Sequence, residues 1–508
     1  MTACGPSAKR AESAQPSPKP FVAPAPLAPL AQALATPRLS PACGRAMAEQ
    51  VSPAKEPLQI TGFFPAPPPT TSQAAAPWAD AQSILREMER ASQGKVQVKI
   101  VHATSASERD AANWADCTLQ DAGASACITF AYREARRAIK ELPPSPMNGL
   151  ERLIGSYVRD VVDEGEGRSH RVGVLVGHGE PTLREPTLVP AGLGNATMLG
   201  FMAAYHPTYV FVDVDLAGGT REVDASLEGL LILQPASPLS EKELRAVDRF
   251  VMLGRHLAVF AGAANVKQGD PAMQATLDTH GLERLLTGYG IEMKRDVVVD
   301  FGSPVTFTLA TSGVTLPLPF FQIPLASSEP SDMHMLDDTF PPLFRIRAVA
   351  VPYPSSLVLS QEKQKGARVR AVLRTSTRGA SDTRDSQPLG VDRVWLPTTH
   401  ASQFTVGAAV EGTVTSAFGT EASRKAAGVL VISSPAFFAS PFARATIGAP
   451  PGVQRSSAAQ DVADFGSAYA QNWMLVMLMA FRNTVDWMTG GSLAACQSSG
   501  DTQGHQDR

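Results

Sequence analysis

Arg171-Val-Gly-Val-Leu-Val176 runs into Gly177-His178-Gly179-Glu180, and Gly229-Leu-Leu-Ile-Leu233 runs into Gln234-Pro-Ala-Ser-Pro238. A third run, His256-Leu-Ala-Val-Phe260, follows a helix that opens at Ser240 and closes at Gly254. Short continuous apolar runs bounded by glycine and proline, separated by amphipathic helices, are the signature of parallel strands buried on both faces. Ligands of such sheets gather at the carboxyl ends of the strands. The reading is an α/β class: a Rossmann-like or flavodoxin-like parallel-sheet domain.

Working outward, Gly149 to Val162 places Leu150, Leu153, Ile154, Tyr157, Val158 and Val161 at helical spacing ahead of the first central strand. Asn195 to Tyr205 reads as a helix and Tyr209-Val-Phe-Val-Asp-Val214 as the next strand. Ser240-Glu-Lys-Glu243 has the form of a capping box, in which the serine accepts from the third amide and Glu243 reaches back. Leu282 to Tyr289 and Asp296-Val-Val-Val-Asp300 supply one more helix and strand.

Upstream, Leu58 to Phe64 alternates as a strand, Trp78 to Ser92 as a helix and Val96 to Val101 as a strand. This predicts a small N-terminal α/β module, thioredoxin-like or Rossmann-like. Cys127 to Tyr132 adds a candidate strand, and from Glu108 to Leu142 the patterning is otherwise weak. Downstream, Phe344 to Val351, Ala367 to Leu373, Phe404 to Val410 and Gly428 to Ile432 predict a strand-rich C-terminal part, closed by a helix from Gln471 to Met488. The expected division is a Pro/Ala-rich disordered tail at 1–57, the small module at 58–145 and the central domain at 146–300. The strand-rich continuation then occupies 301–493 and a polar tail 494–508.

At 508 residues, with a net charge of -3 and pI near 6.3, the chain gives no electrostatic case for nucleic acid. Neither a phosphate loop nor a Gly-x-Gly-x-x-Gly after a strand occurs, which argues against direct ATP or dinucleotide binding, and no cofactor is expected. No apolar run reaches the roughly 18 residues of a membrane span. The five cysteines (Cys4, Cys43, Cys117, Cys127, Cys496) lack metal-ligand spacing. Cys117 and Cys127 could pair, although the odd and scattered set reads more naturally as free thiols.

His178 and Glu180 form the most suggestive chemical pair, as base and orienter or as metal ligands. The plainer alternative is that two glycines permit a tight strand exit while both side chains bond the loop. Asp213 and Asp215 flank the end of a strand and could join that cleft, or simply cap the following turn. Ser433-Ser434 lacks the elbow a serine nucleophile needs.

The order of the segments resembles the GldG-like family of auxiliary components of ABC-type transport systems, first associated with gliding motility. Val174-Leu-Val-Gly-His-Gly-Glu180, Leu230-Leu-Ile-Leu-Gln-Pro235, Pro238-Leu-Ser-Glu-Lys-Glu-Leu244 and Asp248-Arg-Phe-Val-Met-Leu-Gly254 carry the resemblance. Leu285 to Ile291, Pro354-Ser-Ser-Leu357, Leu373-Arg-Thr-Ser376, Val406 to Gly412, Val429 to Ser434 and Asn483-Thr-Val-Asp-Trp487 follow in order. Arg255 stands where the family commonly has a second glycine. The resemblance implies a non-enzymatic partner of an ABC permease and ATPase at the extracytoplasmic face of the inner membrane. It also implies flanking membrane helices, which this sequence does not display. It transfers no catalytic residue. The alternatives are a hydrolase of sugar or peptide bonds at the His178/Glu180 cleft, and a soluble protein-binding adaptor.

Overall fold

Why the central runs become strands is visible in their neighbours. In a computed structural model, successive residues of one strand alternate between two apolar layers: Leu231 and Leu233 face one, Leu230 and Ile232 the other. The structure describes residues 51–65, 78–103, 117, 126–142, 150–184, 197–302 (save 268 and 271), 304–308 and 315–324. It continues over 335–390 (save 338, 345 and 347), 393, 395, 401–435, 463 and 476–490. All lie in one compact unit, Arg38–Arg508. The tail through residue 50, the loop at 185–194, the first turn of the closing helix and the tail at 494–508 lie outside the described residues.

The N-terminal module pairs β1 (Leu58–Pro65) in parallel with β2 (Val96–Ala103) and antiparallel with β3 (Ala126–Tyr132). β3 turns through Arg133, at φ 52°, into β4 (Ala135–Leu142). Helix α1 (Ala79–Ala91) and helix α2 (Leu150–Gly165) supply the rest of this core, with Ile84, Leu85 and Met88 from the first and Leu150, Ile154, Val158 and Val161 from the second. The apolar stripe of α2 therefore packs on the N-terminal sheet.

Among the described residues the large sheet has nine strands. β5 (His170–Val176), β6 (Tyr209–Asp215), β7 (Gly229–Leu233) and β8 (His256–Phe260) are parallel, in the order β6-β5-β7-β8. Helix α3 (Met198–Tyr205) links the first two, and helix α4 (Glu241–Met252) links the last two. β9 (Ala264–Val266) and β10 (Gln274–Leu277) form a small side sheet, helix α5 (Leu282–Gly288) follows, and β11 (Ile291–Met293) returns to the far edge of the large sheet.

Val297 to Asp300, expected to extend the core, is β12; it pairs instead with a later strand in a separate two-stranded sheet. β13 (Pro304–Thr308), β14 (Thr315–Pro324) and β15 (Ala348–Val351) make a three-stranded antiparallel sheet. Of the strand expected over Phe344 to Val351, the part from Ala348 forms, while Phe344 is a turn residue closing Pro341–Leu343 and Ile346 lies outside any element.

β16 (Leu357–Leu359) and β17 (Ala367–Arg374) rejoin the large sheet. β18 (Gly379–Asp382) is the partner of β12, and β19 (Ser386–Pro388) pairs with β10. β20 (Thr405–Gly412) is antiparallel to β21 (Ala427–Ile432), which lies parallel to β8 and completes a five-stranded parallel block.

Helices α4 and α5 cover one face of this block with Leu244, Val247, Phe250, Leu285 and Leu286. On the other face lie Met198 and Met202 of α3 and the closing helix, described over 476–488, through Phe481, Val485 and Trp487. That stripe is core. Gly229 and Gly428 stand at the amino ends of their strands, where added Cβ atoms would meet Met488 Cε at 2.5 Å and Trp487 Cζ2 at 2.3 Å. Any larger residue there would lift the closing helix off the sheet.

Candidate functional site at the carboxyl edge of the sheet

β5 leaves the sheet through two glycines in the left-handed region, Gly177 at φ 114° and Gly179 at φ 77°. L side chains avoid that region, and the turn needs it twice. The exit buries the pair singled out in the sequence. His178 N–H donates to Glu180 Oε2 at 2.7 Å, and its ring Nδ1 lies 3.1 Å from Glu180 Oε1. The carbonyl of His178 accepts from the amides of Ala236 and Ser237 at 2.8 and 3.0 Å, tying this loop to the one after β7.

A third residue completes the cluster. His178 Nε2 is 3.2 Å from Glu243 Oε1 in the first turn of α4. Glu243 is also the back-bonding arm of the capping box: Ser240 N–H donates to its Oε2 at 2.8 Å and Gly218 N–H to its Oε1 at 3.1 Å. Burial pushes the Glu243 pKa up, but the Ser240 amide and hydroxyl together with His178 hold it below its usual value. The side chains of His178, Glu180 and Glu243 are 10%, 1% and 4% exposed, so the imidazole is enclosed between two carboxylates with both nitrogens engaged.

Sequence reading identified Glu243 as a cap and missed it as a partner of His178. The available signal was a second carboxylate oxygen at a helix start beside a strand-end loop.

Asp215 caps the turn: its Oδ1 accepts from Ala217 N–H at 2.8 Å, and Arg221 lies 3.8 Å from its Oδ2. It borders the cluster, since a Cβ on Gly177 would sit 3.4 Å from Asp215 Oδ1. Asp213 pairs in register with Val174 and stands exposed on the edge strand β6. Among the described residues no group of three or more His, Cys, Asp and Glu side chains has an arrangement that could hold a metal ion.

Further along the same edge, the segments of the family resemblance converge. The Gln234 amide pairs with the backbone of Gly262, donating at 3.0 Å and accepting at 2.9 Å, and donates to Asn265 at 2.7 Å. Ser355 Oγ accepts from Ala263 N–H and donates to the Asp296 carbonyl. Ser433 Oγ donates to the carbonyls of Ser355 and Val406, and Ser434 Oγ to that of Pro352. A Cβ on Gly262 would lie 2.3 Å from the Ser433 carbonyl oxygen, so this approach of two chains requires glycine.

Asp296 accepts from the amide and hydroxyl of Ser356, yet burial outweighs these bonds and raises its pKa. At the other end of α4, Asp248 accepts from Tyr289 Oη, Ser416 Oγ and the Ala417 amide. These buried polar groups join loops to one another. Their hydroxyls and amides are committed to backbone and carboxylate acceptors, which suits a rigid scaffold.

Cys117 and Cys127 form a disulfide, with Cα atoms 5.7 Å apart. The expectation of free thiols fails here. The pattern around Cys117 carried no element to place it, while the structure sets it against β3 beside Phe63.

A mixed α/β, strand-rich protein whose strand-end polar groups, among the described residues, bond one another and the loop backbone is the class that fold and site define. The sequence profile of the ABC-type uncharacterized transport system family matches residues 169–467, more than half of the 508-residue chain. The chain belongs to this family of auxiliary components of ABC-type transport systems. No curated protein matches it significantly. Among solved structures, one described as the mmIFT52 N-terminal domain is 10% identical, with a TM-score of 0.31, over 61% of this chain and 96% of that chain. A likeness so loose carries no argument.

Proposed function

We propose that this protein is a non-enzymatic binding and scaffolding component that docks onto the permease and ATPase of an ABC-type transporter, as a GldG-like member of its family. The observation that carries this reading is the family match over 169–467. Support for the GldG-like branch comes from the collinear segments quoted above, which include the His178/Glu180 exit and the Ser240 capping box.

The parallel order β6-β5-β7-β8-β21 puts the first strand between the second and third, which favours a flavodoxin-like arrangement. Such sheets bind at the crossover between β5 and β7, so the edge bearing His178, Glu180, Asp213 and Asp215 is the face we assign to binding. The engagement of both His178 nitrogens favours a structural role for that histidine over a catalytic one. In domain terms, β20 and β21 extend the sheet begun by β5, which supports reading 301–493 as a continuation of the 146–300 core.

An extracytoplasmic position at the inner membrane is supported by the Cys117–Cys127 disulfide, because such bonds persist in oxidising compartments. Among the described residues no helix is long and apolar enough to cross a membrane. The proposal is tested by affinity capture of the chain from detergent-solubilised native membranes, with partners identified by mass spectrometry.

A further inference from the structure

Helix α2 has a second buried face, and it is charged. While its apolar stripe packs on the N-terminal sheet, Arg159, Asp160 and Asp163 are buried against the large-sheet domain. Arg159 donates to the Thr489 carbonyl at 2.8 Å and Oγ1 at 3.0 Å, just past the closing helix, and lies 3.8 Å from Asp486 Oδ1. Asp160 Oδ2 is 3.2 Å from Arg482 Nη2 and 3.2 Å from His206 Nδ1. Arg152 lies over the Phe344 ring at 4.7 Å. An interface made of ion pairs separates without exposing a continuous apolar surface, and polar interfaces between domains of one chain are the ones that move. The connection beneath it is short: α2 ends at Gly165, Gly167 turns at φ 66° with open space around it, and β5 begins at His170.

His170 is the joint. Its Nε2 lies 2.9 Å from Asp163 Oδ2 on α2, and its Nδ1 lies 3.1 Å from both oxygens of Glu228, in the turn before β7. A neutral imidazole carries one N–H and would point a lone pair at one of these carboxylates; the doubly protonated ring donates to both. We propose that the contact between the N-terminal module and the large-sheet domain is a pH-gated latch, closed by protonated His170 and released when that ring loses its proton.

The groups facing the ring are accounted for element by element. From α2 come Asp163 and Arg159, whose Nη2 lies 3.3 and 3.1 Å from the two ring nitrogens. Arg168, in the connection, pairs with Asp163 Oδ1 at 2.5 Å. The Tyr209 ring of β6 lies 5.8 Å from the imidazole, tilted by 39°, and its hydroxyl donates to Asp486 of the closing helix. Burial and Arg159 oppose the imidazolium, but Asp163 and Glu228 outweigh them, so the His170 pKa is raised above its ordinary value near 6.5. Glu228 stays beside the ring when α2 leaves, whereas the Asp163 hydrogen bond, which raises the pKa, exists only in the docked state, and through that bond docking takes up a proton. The latch is therefore at full strength below the undocked pKa and is lost as pH rises through the docked value. On the acid side burial opposes the Asp160 carboxylate, but Arg482 and His206 hold its pKa below the usual value, so that pair persists as pH falls.

The test is small-angle X-ray scattering of the full chain between pH 5.5 and 8.5, on the native sequence and on His170→Gln and Glu228→Gln. The latch predicts a radius of gyration that grows with pH, with a midpoint above 6.5. It predicts a midpoint displaced to lower pH in Glu228→Gln, by about one unit if one charged hydrogen bond is lost. In His170→Gln the transition is absent. The same radius at both ends of the range in the native chain would overturn the proposal, as would an undiminished transition in His170→Gln or an unmoved midpoint in Glu228→Gln.

Discussion

His256 shows what burial does to one titratable side chain. It opens β8 beneath the Trp487 ring, 4.7 Å away edge-on, and burial together with the adjacent Arg255 pushes its pKa down to about 4. A histidine whose folded pKa is depressed withdraws stability as pH falls below its unfolded value, because the unfolded chain then binds the additional proton. Between pH 6.5 and 4 this amounts to about 3 kcal/mol at 1.36 kcal/mol per unit. Urea unfolding followed over that range should show a falling midpoint in the native chain and a flatter profile in His256→Gln.

His178 answers to a different balance. Its removal in His178→Ala leaves Glu180 and Glu243 without their shared partner, at a cost of about 1.5–3 kcal/mol for hydrogen bonds to charged groups. Thermal unfolding should therefore come earlier, while the folded variant keeps its capture of membrane partners, because His178 supports the binding edge from between Glu180 and Glu243 and is itself enclosed by them. Loss of capture with an unaltered unfolding profile would count against the structural role.

Among the elements, the buried parallel strands were the most legible, because their apolar runs end abruptly at Gly177, Gln234 and Gly262. The capping box at Ser240 was readable to the residue, and Ser240 Oγ accepts from Glu243 N–H as the spacing requires. The elements that escaped were those made by tertiary pairing. β4, Ala135-Arg-Arg-Ala-Ile-Lys-Glu-Leu142, carries no period-two pattern and exists because it closes a hairpin on β3. β12 looks like one more core strand, yet β18 claims it, and nothing local to Val297-Val-Val-Asp300 names that partner. Pairing of Cys117 with Cys127 was open in the sequence only as the less favoured alternative, since spacing alone does not bring two Cα atoms within 5.7 Å.

The closing helix gives the sharpest test at this scale. Gly428 lies opposite His256 in the parallel register and beneath Trp487. In Gly428→Val the side chain must displace the indole, and overpacking of this kind costs about 1–3 kcal/mol. The variant should unfold at lower denaturant, with Trp487 fluorescence already altered before the transition; native-like stability would show that the helix does not sit where described.

On the scale of the whole molecule, the sequence yielded an α/β chain with a small leading module and a strand-rich continuation, but not the way these parts close on one another. The continuation returns β16, β17, β20 and β21 to the sheet started by β5, a long-range pairing that local periodicity cannot encode. The candidate site was half legible. His178 and Glu180 were found together, whereas Glu243 entered only through the packing of α4, and Asp213 and Asp215 lie along the neighbouring edge. What emerges is a framework whose polar residues at the strand ends are spent on holding loops in place, consistent with a component that acts by binding.

That claim is tested most directly by capturing the full chain from detergent-solubilised native membranes and identifying what comes with it. The account predicts a permease and an ATPase of one ABC-type transporter, enriched over a capture with an unrelated chain. Recovery of soluble proteins alone, or of none, would contradict it.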